Sequence, residues 1–262
     1  MVLKGKESIL KNKDVIKAQN GIDKAIYKYL QSQKESILKQ VDGRLSKSED
    51  DDWIDELDFE LDDDSIKSFI DKVSSFFIAI GAVAYSYALK SLNIENKVVE
   101  DESKSYNLEY AQNRSAELIG KRINKDGSII NNPNAKYAIT ETTREDIKSL
   151  IRGAIKNGNS NADLAEALNN NFLFSKERSM MIARTETNIA DNDITMNSYK
   201  NAGVEKKSWL TAQDDLVSDE CRENEEEGAI GMNEEFSSGD SCPPCHPNCR
   251  CTLLAVFDFD ED

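Results

Sequence analysis

A chain of 262 residues with a formal charge of -16 has room for two modest domains, or for one larger domain with an arm. That charge excludes a surface that is a nucleic-acid platform throughout. The sequence does not open on a basic stretch followed by an apolar one, so export through a signal peptide is not expected.

The charge is unevenly spread. Residues 1–40 are lysine-rich, and Glu49 to Asp64 is an acidic run interrupted by Trp53, Ile54, Leu57, Phe59 and Leu61. A basic arm of this kind can touch DNA or an acidic partner, although a solvated helix face is the simpler account. Ile22, Ile26, Leu30, Ile37 and Val41 recur at helical spacing, and Gly43 is a plausible stop. The apolar residues of the acidic run are expected to dock as a short amphipathic segment or to meet a partner.

A strongly apolar helix is predicted over 66–92, and Val73 to Leu89 carries no charge. That length is at the low edge of what spans a bilayer. Ser74, Ser75, Gly81 and Ser86 interrupt it and Asp71 and Lys72 abut it. It therefore reads as the buried central helix of a bundle or as a docking helix, with no stable membrane span expected.

The polar stretch between Asn93 and Ser105 is the natural domain boundary. A helix around 108–123 follows, then a polar loop through Asp126-Gly127-Ser128. Thr142 with Glu145 forms a capping-box pattern that opens a helix bearing Ile147, Leu150, Ile151 and Ile155. Gly158 closes it, and Ser160 caps a short helix lined by Leu164, Ala167 and Leu168. A long helix is predicted from about Ser175 to Ala202, stopped by Gly203. Its stripe is Ile182, Ile189, Met196 and Tyr199; Glu186 lies beside that stripe and Arg184 points away from it. After Gly203 the period becomes two. Lys207 to Thr211, which contains Trp209, and Cys251 to Phe257 are predicted to pair as strands around a cysteine-rich insertion.

All five cysteines and the sole histidine lie between Cys221 and Cys251, together with three of the four prolines. Four chemistries compete there. A structural zinc site needs four tetrahedral thiolate or imidazole ligands. Cys221, His246, Cys249 and Cys251 are the preferred set, with Cys242 and Cys245 as alternates. Disulfides such as Cys242–Cys245, or Cys221 with another thiol, need an oxidising compartment and leave one thiol over. A deaminase-type zinc hydrolase would use Cys221-Arg222-Glu223 and Pro244-Cys245 followed by Cys249. Pro247, where a helix should begin, argues against it. Incidental reduced thiols are the remaining reading, and the tight clustering opposes it.

The order of these features resembles a known family. Ala183-Arg184-Thr185-Glu186, Tyr199, Gly203, Lys207-Ser208-Trp209, Cys221 and the closing Pro243-Pro244-Cys245-His246-Pro247-Asn248-Cys249-Arg250-Cys251 are similar to the Mu F-like minor head proteins of tailed phages, over roughly residues 140–257. Relatives in that family often carry Cys-x-x-Cys where this chain has Ser218 and Cys221, and this chain has Cys242 and Cys245 in addition.

The resemblance implies a structural, non-enzymatic virion component inside the capsid at the portal vertex, present in the host cytoplasm during assembly and acting in head morphogenesis, DNA packaging or DNA ejection. Its implied partners are the phage portal protein and, beyond it, major capsid or scaffolding protein, with phage DNA reached through the basic N-terminal arm. The family carries Arg184 and Glu186 in its helix signature, and Cys221, His246, Cys249 and Cys251 in a metal or fold knot. A metal-dependent, deaminase-like enzyme or toxin-like effector packaged in the head is the alternative, and Glu223 discriminates the two.

The expected fold is a predominantly helical α+β protein. Residues 1–100 form a helical arm and residues 101–262 the head morphogenesis domain, which ends in a two-stranded Cys/His-knotted module at about 204–257.

Overall fold

The computed structural model describes residues 9–42, 44, 51–135 and 138–257. Gly43, Glu49 and Asp50 lie outside the described residues. Seven α-helices and two small antiparallel sheets are present among those described: α1 (Lys13–Val41), α2 (Asp63–Ser91), α3 (Lys97–Glu117), β1 (Lys121–Ile123), β2 (Ile129–Asn131), α4 (Ile139–Lys156), α5 (Asn161–Asn169), α6 (Lys176–Asn201), β3 (Lys206–Leu210), α7 (Asp219–Glu226), β4 (Ala229–Gly231) and β5 (Thr252–Val256). The predominantly helical α+β class expected from the sequence is what forms.

Contacts divide the chain into two compact units. One comprises Asp23–Ser74 and Gln112–Met180; the other takes in the chain up to Ile22, Ser75–Ala111 and the residues from Met181 onward. Each unit draws on both sides of residue 100.

The first unit is built on apolar periodicity. Ile26, Leu30 and Ile37 of α1, Ile66, Phe69, Ile70 and Val73 of α2, and Ile147 and Ile151 of α4 are all buried. The acidic run docks here rather than extending into solvent. Ile54, Leu57 and Phe59 are buried, and Gln33 Nε2 donates to the Phe59 carbonyl at 2.9 Å. Asp55 accepts from Lys148 Nζ at 3.0 Å and from Arg152 at 2.8 Å. Those two cations hold its carboxyl below the usual carboxylate range. Alternating charge and bulk in this segment thus serve internal packing.

Three local expectations are corrected between residues 97 and 142. The helix predicted over 108–123 starts earlier, with α3 absorbing the polar stretch from Lys97, and ends at Glu117; Lys121–Ile123 then pairs with Ile129–Asn131 as a hairpin about Asp126-Gly127-Ser128. Gly127 takes φ +84°, which the turn needs and a Cβ disfavours. The Thr142 capping box does not form, because α4 already runs from Ile139 with Ala138 at its N-cap. Thr142 Oγ1 instead bonds the Ala138 carbonyl at 3.1 Å and accepts from Arg178 at 2.8 Å. The predicted Ser160 cap does form, as a reciprocal box with Asp163.

The second unit packs helices at close range. α2 is long and apolar enough to cross a membrane by length and composition, yet Phe77, Ile80, Ala84 and Ala88 are fully buried within the protein. Gly81 is a contact point, not an interruption. A Cβ there would lie 2.0 Å from Asn107 Oδ1 and 2.5 Å from Ile194 Cδ1. Asn107 Nδ2 donates to the Ile78 carbonyl at 3.0 Å beside it. Gly21 is similar, with Phe76 Cζ 2.3 Å from where its Cβ would stand.

The second sheet has the order β4-β3-β5, all antiparallel. The predicted pairing of the Trp209 strand with the C-terminal strand is formed, with Trp209 opposite Leu253. The two-stranded expectation is corrected to three. β4 joins β3 with Lys207 opposite Ile230, and its three residues are too short to show an alternating pattern. Trp209, Phe236, Leu253, Tyr199, Val204 and Cys251 belong to the apolar cluster under this sheet, which also takes in Ala88 of α2, Met232, Ala255, Cys221 and Cys249.

Candidate metal site of the C-terminal module

The site is built on α6. Ser175 Oγ accepts from Arg178 N at 3.1 Å and starts the helix. Gly203, at φ +75°, ends it, and Val204 N bonds the Tyr199 carbonyl at 3.0 Å. What α6 buries differs from the expected stripe. Ile182, Ile189 and Met196 are only half-buried, whereas Thr187, Asn188, Asp191, Asn192, Thr195 and Ser198 are all 0% exposed.

The reason is what lies against this face. The Cys-rich loop runs through irregular backbone whose buried carbonyls and amides need partners. Asn188 Nδ2 donates to the Cys249 carbonyl at 2.6 Å, and Asn192 Nδ2 to the Cys251 carbonyl at 3.3 Å. Asn192 Oδ1 accepts from Leu253 N at 2.8 Å, and Thr185 Oγ1 from Asn248 N at 3.1 Å. Thr185, Asn188 and Asn192 are spaced three and four apart, so one helix face clamps the loop. That polar spacing is present in the sequence, at positions three and four apart.

Two further elements present the sulfurs. Ser218 caps α7 by accepting from Cys221 N at 3.2 Å, which sets Cys221 in the first turn. The loop from Ser241 to Arg250 contains a cis Pro243–Pro244 bond and Asn248 at φ +59°. Arg250 grips Asp214 through two hydrogen bonds, at 2.5 and 2.7 Å.

Cys221, Cys245, His246 and Cys249 meet, with their ligand atoms all within 4.8 Å of one another. Cys221 Sγ lies 3.3 Å from Cys245 Sγ, 3.3 Å from His246 Nε2 and 3.7 Å from Cys249 Sγ. Tetrahedral zinc, with Zn–S of about 2.3 Å and Zn–N of about 2.0 Å, sets its ligand atoms about 3.5–3.8 Å apart. His246 Nδ1 lies 2.8 Å from the Pro247 carbonyl. A carbonyl only accepts, so Nδ1 carries the proton and the Nε2 lone pair faces the sulfurs, as a metal-binding imidazole requires. This Cys/His cluster could hold a metal ion.

The thiols show what a cation would supply. Hydrogen bonds from Cys245 and Cys251 pull the Cys249 thiol far below its usual range, so it stands as a thiolate. Cys245 is pushed up first by its bond to Cys249 and then by burial; Cys221 is pushed up by burial. Three adjacent thiolates are tenable only around a positive charge.

Three members of the preferred ligand set, Cys221, His246 and Cys249, come together, and the alternate Cys245 completes the four. Cys251 is not one of the four, although its thiol hydrogen-bonds Cys249. It sits one residue before β5, buried at 3% exposure in the apolar cluster with Trp209 and Leu253. Cys242 is also outside it, its thiol pushed up to about 12 by burial. Ser218, three residues before Cys221, is a helix cap. Of the signature residues, Arg184 is exposed and Glu186 buried; Trp209 packs edge-on to Phe236 with ring centroids 5.2 Å apart. Glu223 is exposed on α7.

Residues 145–254 match the family model described as phage Mu protein F like protein. That stretch takes in most of α4, all of α5, α6, β3, α7 and β4, the Cys-rich loop and the start of β5. An uncharacterised protein of Haemophilus influenzae is 23% identical over 194 residues, which cover 73% of this chain and 40% of the relative. The chain therefore spans less than half the length of that relative. No solved structure matches.

Proposed function

We propose, from the match of residues 145–254 to the phage Mu protein F like family model, that the chain is a structural protein of a tailed-phage head. In this reading it joins the head during assembly, sits inside the capsid at the portal vertex and serves DNA packaging or delivery. The observation that carries the proposal is the span of the match, which holds both the α6 clamp and the Cys/His cluster it positions.

The cluster is read as one structural zinc, held by Cys221, Cys245, His246 and Cys249. Four protein ligands leave no open position for substrate, which is the pattern of structural zinc. The metal would tie α7 to the Cys-rich loop in a module whose apolar cluster is small. A deaminase-type enzyme instead needs Glu223 beside a metal-bound water. The exposure of Glu223 and the completed donor set favour the structural role.

The test is co-expression of the full chain with the portal and capsid proteins, followed by quantitative mass spectrometry of purified particles. The proposal expects the chain in both DNA-free and filled heads and in complexes pulled down with portal rings. Particles that assemble and fill normally without it, and portal rings that never retain it, would contradict the proposal.

A further inference from the structure

We propose that the Cys221–Cys245 pair is an oxidation site, at which a peroxide converts two metal-binding thiolates into a disulfide that releases the metal and keeps the module closed. The release step and the thiolate form of both cysteines rest on the zinc reading above; the choice of this pair rests on the geometry of the sulfurs.

Cys221 Sγ lies nearer to Cys245 Sγ, at 3.3 Å, than to Cys249 Sγ, at 3.7 Å. The two differ in access. Cys221 is 1% exposed on α7, while Cys245 is half-buried on the outer loop. Cys249 is buried, at 4% exposure, and its carbonyl is held by Asn188. An oxidant arriving from solvent therefore meets Cys245 first, with Cys221 poised behind it as the resolving thiol.

The chemistry balances. The Cys245 thiolate attacks one peroxide oxygen, the O–O bond breaks, and with one proton taken up the products are a sulfenic acid and water. The Cys221 thiolate then attacks Cys245 Sγ, forming the S–S bond and expelling hydroxide, which a second proton turns into water. Two thiolates are oxidised by two electrons, and one peroxide is reduced to two waters. His246 and Cys249 remain, too few donors for a tetrahedral site, so the metal leaves.

The consequence is a change of cross-link without a change of connection. Residues 24 apart in sequence join α7 to the Cys-rich loop by metal in a reducing cytosol and by a disulfide outside it. A protein assembled in one compartment and released into another would keep this module closed in both.

The experiment uses the zinc-loaded full chain titrated with hydrogen peroxide, with zinc release followed by a chromogenic chelator and disulfides mapped by non-reducing peptide mass spectrometry. About one zinc should leave per Cys221–Cys245 disulfide, and thiol reductant plus zinc should restore the starting state. The oxidised, metal-free protein should keep hydrogen-exchange protection of β3 and β5, which chelated, reduced protein loses. Cys242→Ser and Cys251→Ala should leave the reaction unchanged. Zinc retained with Cys221 and Cys245 still free, or a dominant disulfide through Cys242, Cys249 or Cys251, would overturn the proposal. If the chain binds no zinc, the metal reading falls, and peroxide treatment of the same protein still decides whether this pair closes.

Discussion

The unit of Asp23–Ser74 and Gln112–Met180 and the module after Gly203 cohere by different physics. The first buries long isoleucine and phenylalanine faces of α1, α2 and α4 and adds ion pairs around Asp55. The second has three short strands and one short helix, held by a small apolar cluster, a polar clamp from α6 and a four-donor group. A region rich in apolar mass tolerates the loss of any one contact. A region poor in it depends on a few cross-links, and its failure should be abrupt.

Breaking the donor set should therefore give the largest effect. Binding of structural zinc contributes about 10–16 kcal/mol in small zinc modules, comparable to the whole ~5–15 kcal/mol stability of a domain. Cys249→Ser or Cys245→Ser is expected to lose the metal and the hydrogen-exchange protection of β3 and β5, while α1 and α4 stay protected. Cys251→Ala should keep the metal, because that thiol is not among the four donor atoms that meet; loss of metal in this variant would restore Cys251 as a ligand.

The matching probe of the first unit is Ile147→Ala, expected to cost about 2–5 kcal/mol in urea unfolding with metal content unchanged. Asn192→Ala strands the Leu253 amide and the Cys251 carbonyl, at about 1–3 kcal/mol for each buried orphan. Its effect should fall on the module alone, seen as faster exchange in β5. Gly81→Ala raises helix propensity yet drives a methyl into Asn107, and a net loss of about 1–3 kcal/mol is expected.

The smallest effect is that of the exposed Asp214–Arg250 pair. Arg250 lowers the Asp214 carboxyl from its usual 3.8, so this contribution is complete above that value and disappears only as pH falls through the lowered one. Asp214→Asn should accordingly leave thermal stability at neutral pH nearly unchanged, and a large loss there would show that the loop anchor matters more than its exposure implies.

Legibility followed the same division. α1, α2 and the paired strands β3 and β5 were readable because apolar residues recur at periods of 3.6 and 2. α6 was readable as a helix but only partly in its burial: Tyr199 of the expected stripe is buried, while much of what it hides is polar, Asn188 and Asn192 among it, with loop backbone as the partner. β4 and the β1–β2 hairpin escaped because three-residue strands carry no pattern. At the site, clustering marked six candidate donors, of which Cys221, Cys245, His246 and Cys249 come together, and the choice of Cys245 over Cys251 depended on how the loop before β5 folds. Spacing along the chain does not contain that information.

The most direct measurement is the zinc content of the purified full chain, taken with hydrogen exchange before and after chelation. The account predicts about one zinc per chain, lost together with protection of β3 and β5 when a chelator is added under reducing conditions. A metal-free protein with all thiols free and the module fully protected would contradict it.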